Sequence, residues 1–179
     1  MLKVFLILLF HYYVFVYFSY YGNRSPISDP KERGMEIGLD MSEDIISMAK
    51  LYWAAIDSLC FGTKNIIEVS KQNGYIIDTI IVCGGTAKNP LFIRELADIC
   101  QCTIYSAGHE ESVVFGSAVL AAIASGEYKN YEEALLNMSK KGECIEPDKS
   151  MKKYFDKKYE IYLKMYQDKI KYEKIMSSF

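Results

Sequence analysis

Apolar positions fall into blocks whose spacing changes along the chain, and each change marks a new element. The stretch Val14-Phe15-Val16-Tyr17-Phe18 alternates and is β-branched and aromatic, which suits a buried strand. From Ser42, read as an N-cap with Glu43 and Asp44 in the first turn, Ile45, Ile46, Ala49, Trp53, Ile56 and Leu59 recur at helical spacing toward Ile67. This predicts a long core helix with a break near Gly62. Residues 76–83, rich in isoleucine and valine, read as an interior strand that stops at Gly84-Gly85. Asn89-Pro90 then opens a helix, because asparagine caps and proline is tolerated at the first helical position. Residues 102–105 read as a second strand, and 111–125 as a helix whose small residues (Gly116, Ala118, Ala121, Ala122) lie on one face. The last segment, 151–176, interleaves Tyr154, Phe155, Tyr159, Tyr162, Leu163, Tyr166 and Ile170 with lysines, as an amphipathic helix packed on the domain would.

Strand, helix, strand, helix implies an α/β layer. Between the first strand and the long helix, residues 22–30 carry glycine, two prolines and small polar side chains, the chemistry of a surface loop or cleft edge. No internal repeat is visible.

Composition narrows the function classes. The 179 residues are half hydrophobic, enough for one globular core, and 21 basic against 23 acidic side chains leave no basic face for a nucleic acid. The cysteines at 60, 83, 100, 102 and 144 form neither a paired CxxC framework nor a Cys/His ligand set, so they read as reduced thiols of a cytoplasmic protein, with no metal site. Residues 1–21 are an apolar and tyrosine-rich run that meets the length of a membrane span, although no A-x-A-like cleavage site follows and the strand-like alternation competes with that reading. A membrane anchor through this run is therefore the disfavoured alternative.

The strand that ends in Gly84-Gly85-Thr86-Ala87-Lys88-Asn89 before a helix has a chemical use: glycines let a ligand lie against the backbone, and a helix N-terminus offers amide donors and positive dipole character. The run is neither a P-loop nor a GxGxxG fingerprint, so by itself it is equally a tight strand-to-helix turn.

The succession of segments carries more. Gly22-Asn23-Arg24-Ser25-Pro26 with Asp29-Pro30, Gly38-Leu39, residues 51–56, Ile66-Ile67-Glu68, residues 83–92, Ala97-Asp98-Ile99, residues 111–118 and residues 154–159 follow one another in an order and spacing that resembles the C-terminal domain of the FGGY family of carbohydrate kinases, nearest its pentulose (D-ribulose) kinase branch. The resemblance runs from about residue 14 to the end. It implies an actin-like ATPase domain of ribonuclease-H type with an additional C-terminal helix, in a protein where MgATP lies in the cleft between two such domains and the sugar is held mainly by the first. It further implies that Gly84, Gly85 and Asn89 line the adenosine side of the nucleotide site, with Thr86 and Lys88 as weaker candidates, and that Asn23 and Arg24 lie in a loop near the cleft. The small residues around Gly116 would serve close helix-to-sheet packing.

Departures matter as well. The family's catalytic aspartate, phosphate-binding hairpin and sugar pocket belong to a segment upstream, and Asp29, Asp40, Asp57 and Asp78 do not match the aspartate's position. No catalytic residue is therefore assigned, and the chain alone is expected to bind ATP or ADP without phosphorylating a sugar. Residues 1–13 resemble nothing expected there, as an anchor or a misplaced gene start would. A non-catalytic fragment, tethered to a membrane or binding a partner, is the alternative function.

Overall fold

The computed structural model describes residues 13–108 and 111–177. The atypical start assigned to residues 1–13 lies outside them except for Tyr13. Strands β1 (Phe15–Tyr17) and β2 (Met35–Ile37) form an antiparallel pair in which Val16 faces Glu36. The long helix α1 (Ile45–Gln72) follows. A second sheet has the order β3-β4-β5, with β3 (Thr79–Val82) parallel to β4 (Thr103–Ala107) and β4 antiparallel to β5 (Lys141–Ile145). Helix α2 (Pro90–Cys100) makes the crossover from β3 to β4; α3 (Ser112–Ala124) and α4 (Tyr131–Met138) lead to β5, and α5 (Lys152–Met176) closes the chain.

The α/β reading stands, with local corrections. The cap of α1 is Asp44, whose Oδ1 accepts from Ser47 N at 2.7 Å, whereas Ser42 donates its own backbone N–H to Asp40. The helix runs unbroken through Gly62, where a Cβ would sit 3.7 Å from the Tyr162 hydroxyl of α5. The strand expected over 76–83 shortens to Thr79–Val82, since β4 begins at Thr103, opposite Thr79, and offers no ladder partner to Ile76 or Ile77. The helix expected over 111–125 forms, but not for close packing on the sheet: a Cβ on Gly116 would meet nothing within 4 Å, and Val119 is the buried residue of α3.

The core lies between α1, α2 and α5 on one side of β3 and β4. Ile56, Cys60 and Phe61 from α1 meet Ile93, Leu96, Ala97 and Ile99 from α2, Ile104 from β4, and Phe155, Tyr159, Tyr162 and Met165 from α5. Tyr17 of β1 stacks against Tyr162 and Tyr166, with ring centroids 5.0 and 5.8 Å apart. Three ion pairs tie α5 to the rest: Lys158 to Asp57 at 2.5 Å, Lys64 to Asp156 at 2.8 Å, and Lys169 to Glu32. The Asp57 and Glu32 carboxylates are each 2% exposed, so these charges are held by their partners rather than by water. Helix α1 is long and apolar enough to cross a membrane by composition, yet its middle is part of this core.

Candidate functional site

Strands β3 and β4 end side by side, and open parallel sheets bind ligands beyond the carboxyl ends of their strands. There the chain turns at Gly84, which has φ +80° and ψ −160°, a conformation that only glycine adopts readily. A short 3₁₀ helix, Gly85–Lys88, follows and delivers the chain to Asn89. A Cβ placed on Gly84 or on Gly85 would meet nothing within 4 Å, so open space lies directly above both backbones. A concavity of about 310 Å³ opens here, lined by Cys83, Gly84, Ala87, Lys88, Ser106, Ala107 and Gly108.

The structure divides the expected residues. Gly84 and Lys88 line the concavity. Gly85 and Thr86 lie in the 3₁₀ turn beside it. The Lys88 ammonium is 60% exposed and 3.5 Å from the Glu111 carboxylate, a solvated pair that binds it weakly and leaves it available to an anion. Asn89 has another task. Its Oδ1 accepts from Leu91 N at 3.1 Å and Phe92 N at 3.4 Å, capping α2, while its Nδ2 donates to the Tyr52 hydroxyl of α1 at 3.0 Å. Two of the amides that the start of α2 was expected to offer a ligand are thus taken by the Asn89 side chain. Ser106, Ala107 and Gly108 were missed by sequence reasoning, although the rule about adjacent strand ends points to them once 102–105 is read as a strand. Gly108 is fixed by close approach: a Cβ there would lie 1.9 Å from the Lys140 carbonyl oxygen.

Asn23 and Arg24 do not share this concavity. Asn23 is held in its turn, with its N–H donating to Asp29 O at 2.8 Å and its Oδ1 accepting from Ile27 N. Arg24 borders a separate groove with Ser58, Gly62 and Tyr162.

Among the described residues, one carboxyl is strongly perturbed. Glu95 of α2 is 4% exposed, and burial, with the negative charge of Asp57 next, pushes its pKa up to about 8. The Trp53 indole N–H donates to Glu95 Oε1 at 3.0 Å and opposes that shift, while Oε2 is buried without a hydrogen-bond partner. Closed off from solvent among α1, α2 and α5, Glu95 belongs to the packing of the core and not to the concavity.

Residues 10–125 match the C-terminal domain of the FGGY family of carbohydrate kinases. The chain belongs to that family. The FGGY carbohydrate kinase domain-containing protein of Homo sapiens is 41% identical over 159 residues, which cover 89% of this chain and 29% of that protein. A D-ribulokinase of Saccharomyces cerevisiae is 39% identical over 117 residues, 65% of this chain and 16% of the yeast protein. In structure, the FGGY domain is similar to a glycerol kinase of Plasmodium falciparum solved with ADP, with a TM-score of 0.66 and 17% identity over 85% of this chain and 30% of that one. The chain thus spans less than a third of the length of each protein.

Proposed function

We propose that this FGGY domain is the nucleotide-holding half of a cytoplasmic kinase that transfers the γ-phosphoryl group of ATP to a pentulose such as D-ribulose. The observation that carries the nucleotide assignment is the bare backbone at Gly84-Gly85, open above both residues, at the paired carboxyl ends of β3 and β4 with Lys88 on its rim. A flat nucleoside can lie flush on such a surface, and the ammonium suits a phosphate. Support for the sugar comes from the likeness to the yeast D-ribulokinase. ATP and ADP as cofactors are supported by the glycerol kinase solved with ADP. When bound, Mg²⁺ would supply positive charge that offsets the charge developing on the transferring phosphoryl group. Residues 13–108 and 111–177 contribute the nucleotide's resting surface. The sugar pocket and the aspartate that accepts the sugar's proton belong, by family resemblance, to the other domain, so the described residues are assigned the nucleotide and no catalytic group. The free cysteines suit a reducing compartment.

The test is Gly85→Val. Open space above Gly85 means that the fold accepts the side chain, whereas a nucleotide resting on that backbone does not. Calorimetric titration with ADP should show binding weakened at least about tenfold, with an unchanged melting temperature. Equal affinity in both proteins would remove the site from this surface. In a protein carrying both kinase domains, the same substitution should abolish D-ribulose-dependent ADP release.

A further inference from the structure

Helix α2 carries a buried carboxyl that the nucleotide reading leaves without a task. Glu95 is closed off from solvent; Trp53 of α1 donates to its Oε1, and its Oε2 is buried with no hydrogen-bond partner. The titratable groups that interact with it come from three helices: Asp57 and the Cys60 thiol from α1, Lys158 from α5, and Asp98 from α2 itself. Burial keeps the Cys60 thiol protonated, and Asp98 is paired with Arg94. What remains, among the described residues, is two carboxyls, Glu95 and Asp57, with one ammonium, Lys158, which lies 2.5 Å from Asp57 and is itself buried. Such a group is neutral only when one carboxyl holds a proton, and Glu95 is the one without the ammonium.

Helix α2 also supports the concavity. The Gly85–Lys88 turn runs through Asn89 directly into α2, and Ala87, which lines the concavity, packs on the same core as Ile93 and Leu96. Glu95 lies only about one and a half helical turns beyond Pro90. A shift of α2 against α1 is therefore felt at Ala87 and Lys88. A second negative charge in this dry contact is relieved when α2 withdraws and water reaches Glu95.

Resting on the nucleotide reading above, we infer that the contact between α1 and α2 is a proton-controlled latch on nucleotide binding. With Glu95 protonated, α2 stays seated and the Gly84–Lys88 turn keeps the shape that receives ADP. With Glu95 ionised, α2 loosens and ADP binds less tightly. Glu95 is a positioning residue, acting through α2 without touching the nucleotide. The burial that pushes its pKa up to about 8 sets the working range, so affinity is complete below that value and is lost as pH rises through it. Linkage makes the effect reciprocal: a nucleotide that prefers the seated helix draws a proton onto Glu95.

Calorimetric titration of the full chain with ADP between pH 7 and pH 9, in buffers of different ionisation enthalpy, tests this. Affinity should be about tenfold weaker at pH 9 than at pH 7, and at pH 8 each ADP bound should take up about half a proton. Glu95→Gln, which mimics the protonated form, should bind ADP at pH 7 within about threefold of wild type, keep that affinity at pH 9 and take up no proton. A glutamate that serves packing alone would lower the melting temperature at high pH and leave proton uptake at zero. Flat wild-type affinity from pH 7 to pH 9 without proton uptake overturns the latch and leaves the nucleotide site standing. A decline that persists in Glu95→Gln also overturns it, and passes the effect to another group, such as the Cys83 thiol in the concavity. Should Glu95→Gln fail to fold, Cys83→Ser takes its place: proton uptake should survive that substitution, and its loss sinks the latch. Failure of the wild-type chain to bind ADP at pH 7 removes both this inference and the reading beneath it.

Discussion

Helices α2 and α3 each follow one of the two parallel strands, β3 and β4, yet they are treated in opposite ways. Helix α2 carries Arg94, Glu95 and Asp98 and still buries Ile93, Glu95, Leu96, Ala97, Asp98 and Ile99. Helix α3 has no charged residue, but Val119 is its buried side chain, and Val113 is 85% exposed with Val114 and Leu120 also outside. The more apolar sequence is the more exposed. Burial is thus decided by what stands opposite a helix, and α2 has both α1 and α5 against it. Those neighbours also let α2 keep Glu95 inside, since Trp53 of α1 donates to it and Lys158 of α5 pairs with Asp57 close by, while Asp98 is held by Arg94 of α2 itself.

The sharpest way to break the contrast is to remove a charge from the packed side. Lys158→Ala leaves Asp57 buried beside Glu95 without its partner, and should cost about 3–5 kcal/mol in urea denaturation. A loss under about 1 kcal/mol would mean that water reaches Asp57 and that this side is less closed than described.

The next effect is a pH dependence confined to α2. Because the pKa of Glu95 is raised in the fold, the native state keeps a proton that the unfolded chain releases, so stability falls as pH rises from the ordinary glutamate value of 4.5 toward about 8 and levels off above it. Glu95→Gln mimics the protonated form. Its melting temperature should decline less than that of wild type over this range, by roughly 5 °C or more. Parallel curves for the two proteins would show that Glu95 titrates normally. Trp53, the single tryptophan, donates to Glu95 and should report the same transition by fluorescence.

The smallest change in stability is expected on the open side. Val114→Lys should stay within about 0.5 kcal/mol of wild type, because the residue has little packing to lose. Light scattering should show less self-association, since it interrupts an exposed apolar surface. A large destabilisation would reveal packing around α3 that its exposure does not suggest.

Where local chemistry is decisive, sequence sufficed. Asn89-Pro90 announced the start of α2, and the alternation around Val16 announced β1, because a cap and a period of two are written in adjacent residues. Asn130 with Glu132 and Glu133 gave an equally local signal for α4, which went unread; Asn130 Oδ1 accepts from Glu133 N at 2.9 Å. Strand β5 was not legible in the same way. Its Lys-Gly-Glu-Cys-Ile sequence has no strong period, and it exists because β4 offers an edge to pair with. Gly84 and Lys88 of the candidate site could be read from the turn, while Ser106, Ala107 and Gly108 come into view only through the pairing of β4 with β3, because they reach the concavity from the end of β4 after the chain has folded.

The ion pairs of α5 also set a timetable. Lys158 meets Asp57 and Lys169 meets Glu32 across 101 and 137 positions of sequence, and Phe155, Tyr159, Tyr162 and Met165 complete a core begun by α1 and α2. On a ribosome, where the chain emerges from its amino end, α1 and α2 appear with an apolar side still uncovered and three carboxyls, Glu32, Asp57 and Glu95, still hydrated. No nascent chain that stops short of residue 152 can finish that core. The Gly84 turn, though synthesised midway, leads into a helix that stays loosely held until α5 arrives, so the concavity it lines settles only once the residues from 152 onward have been made.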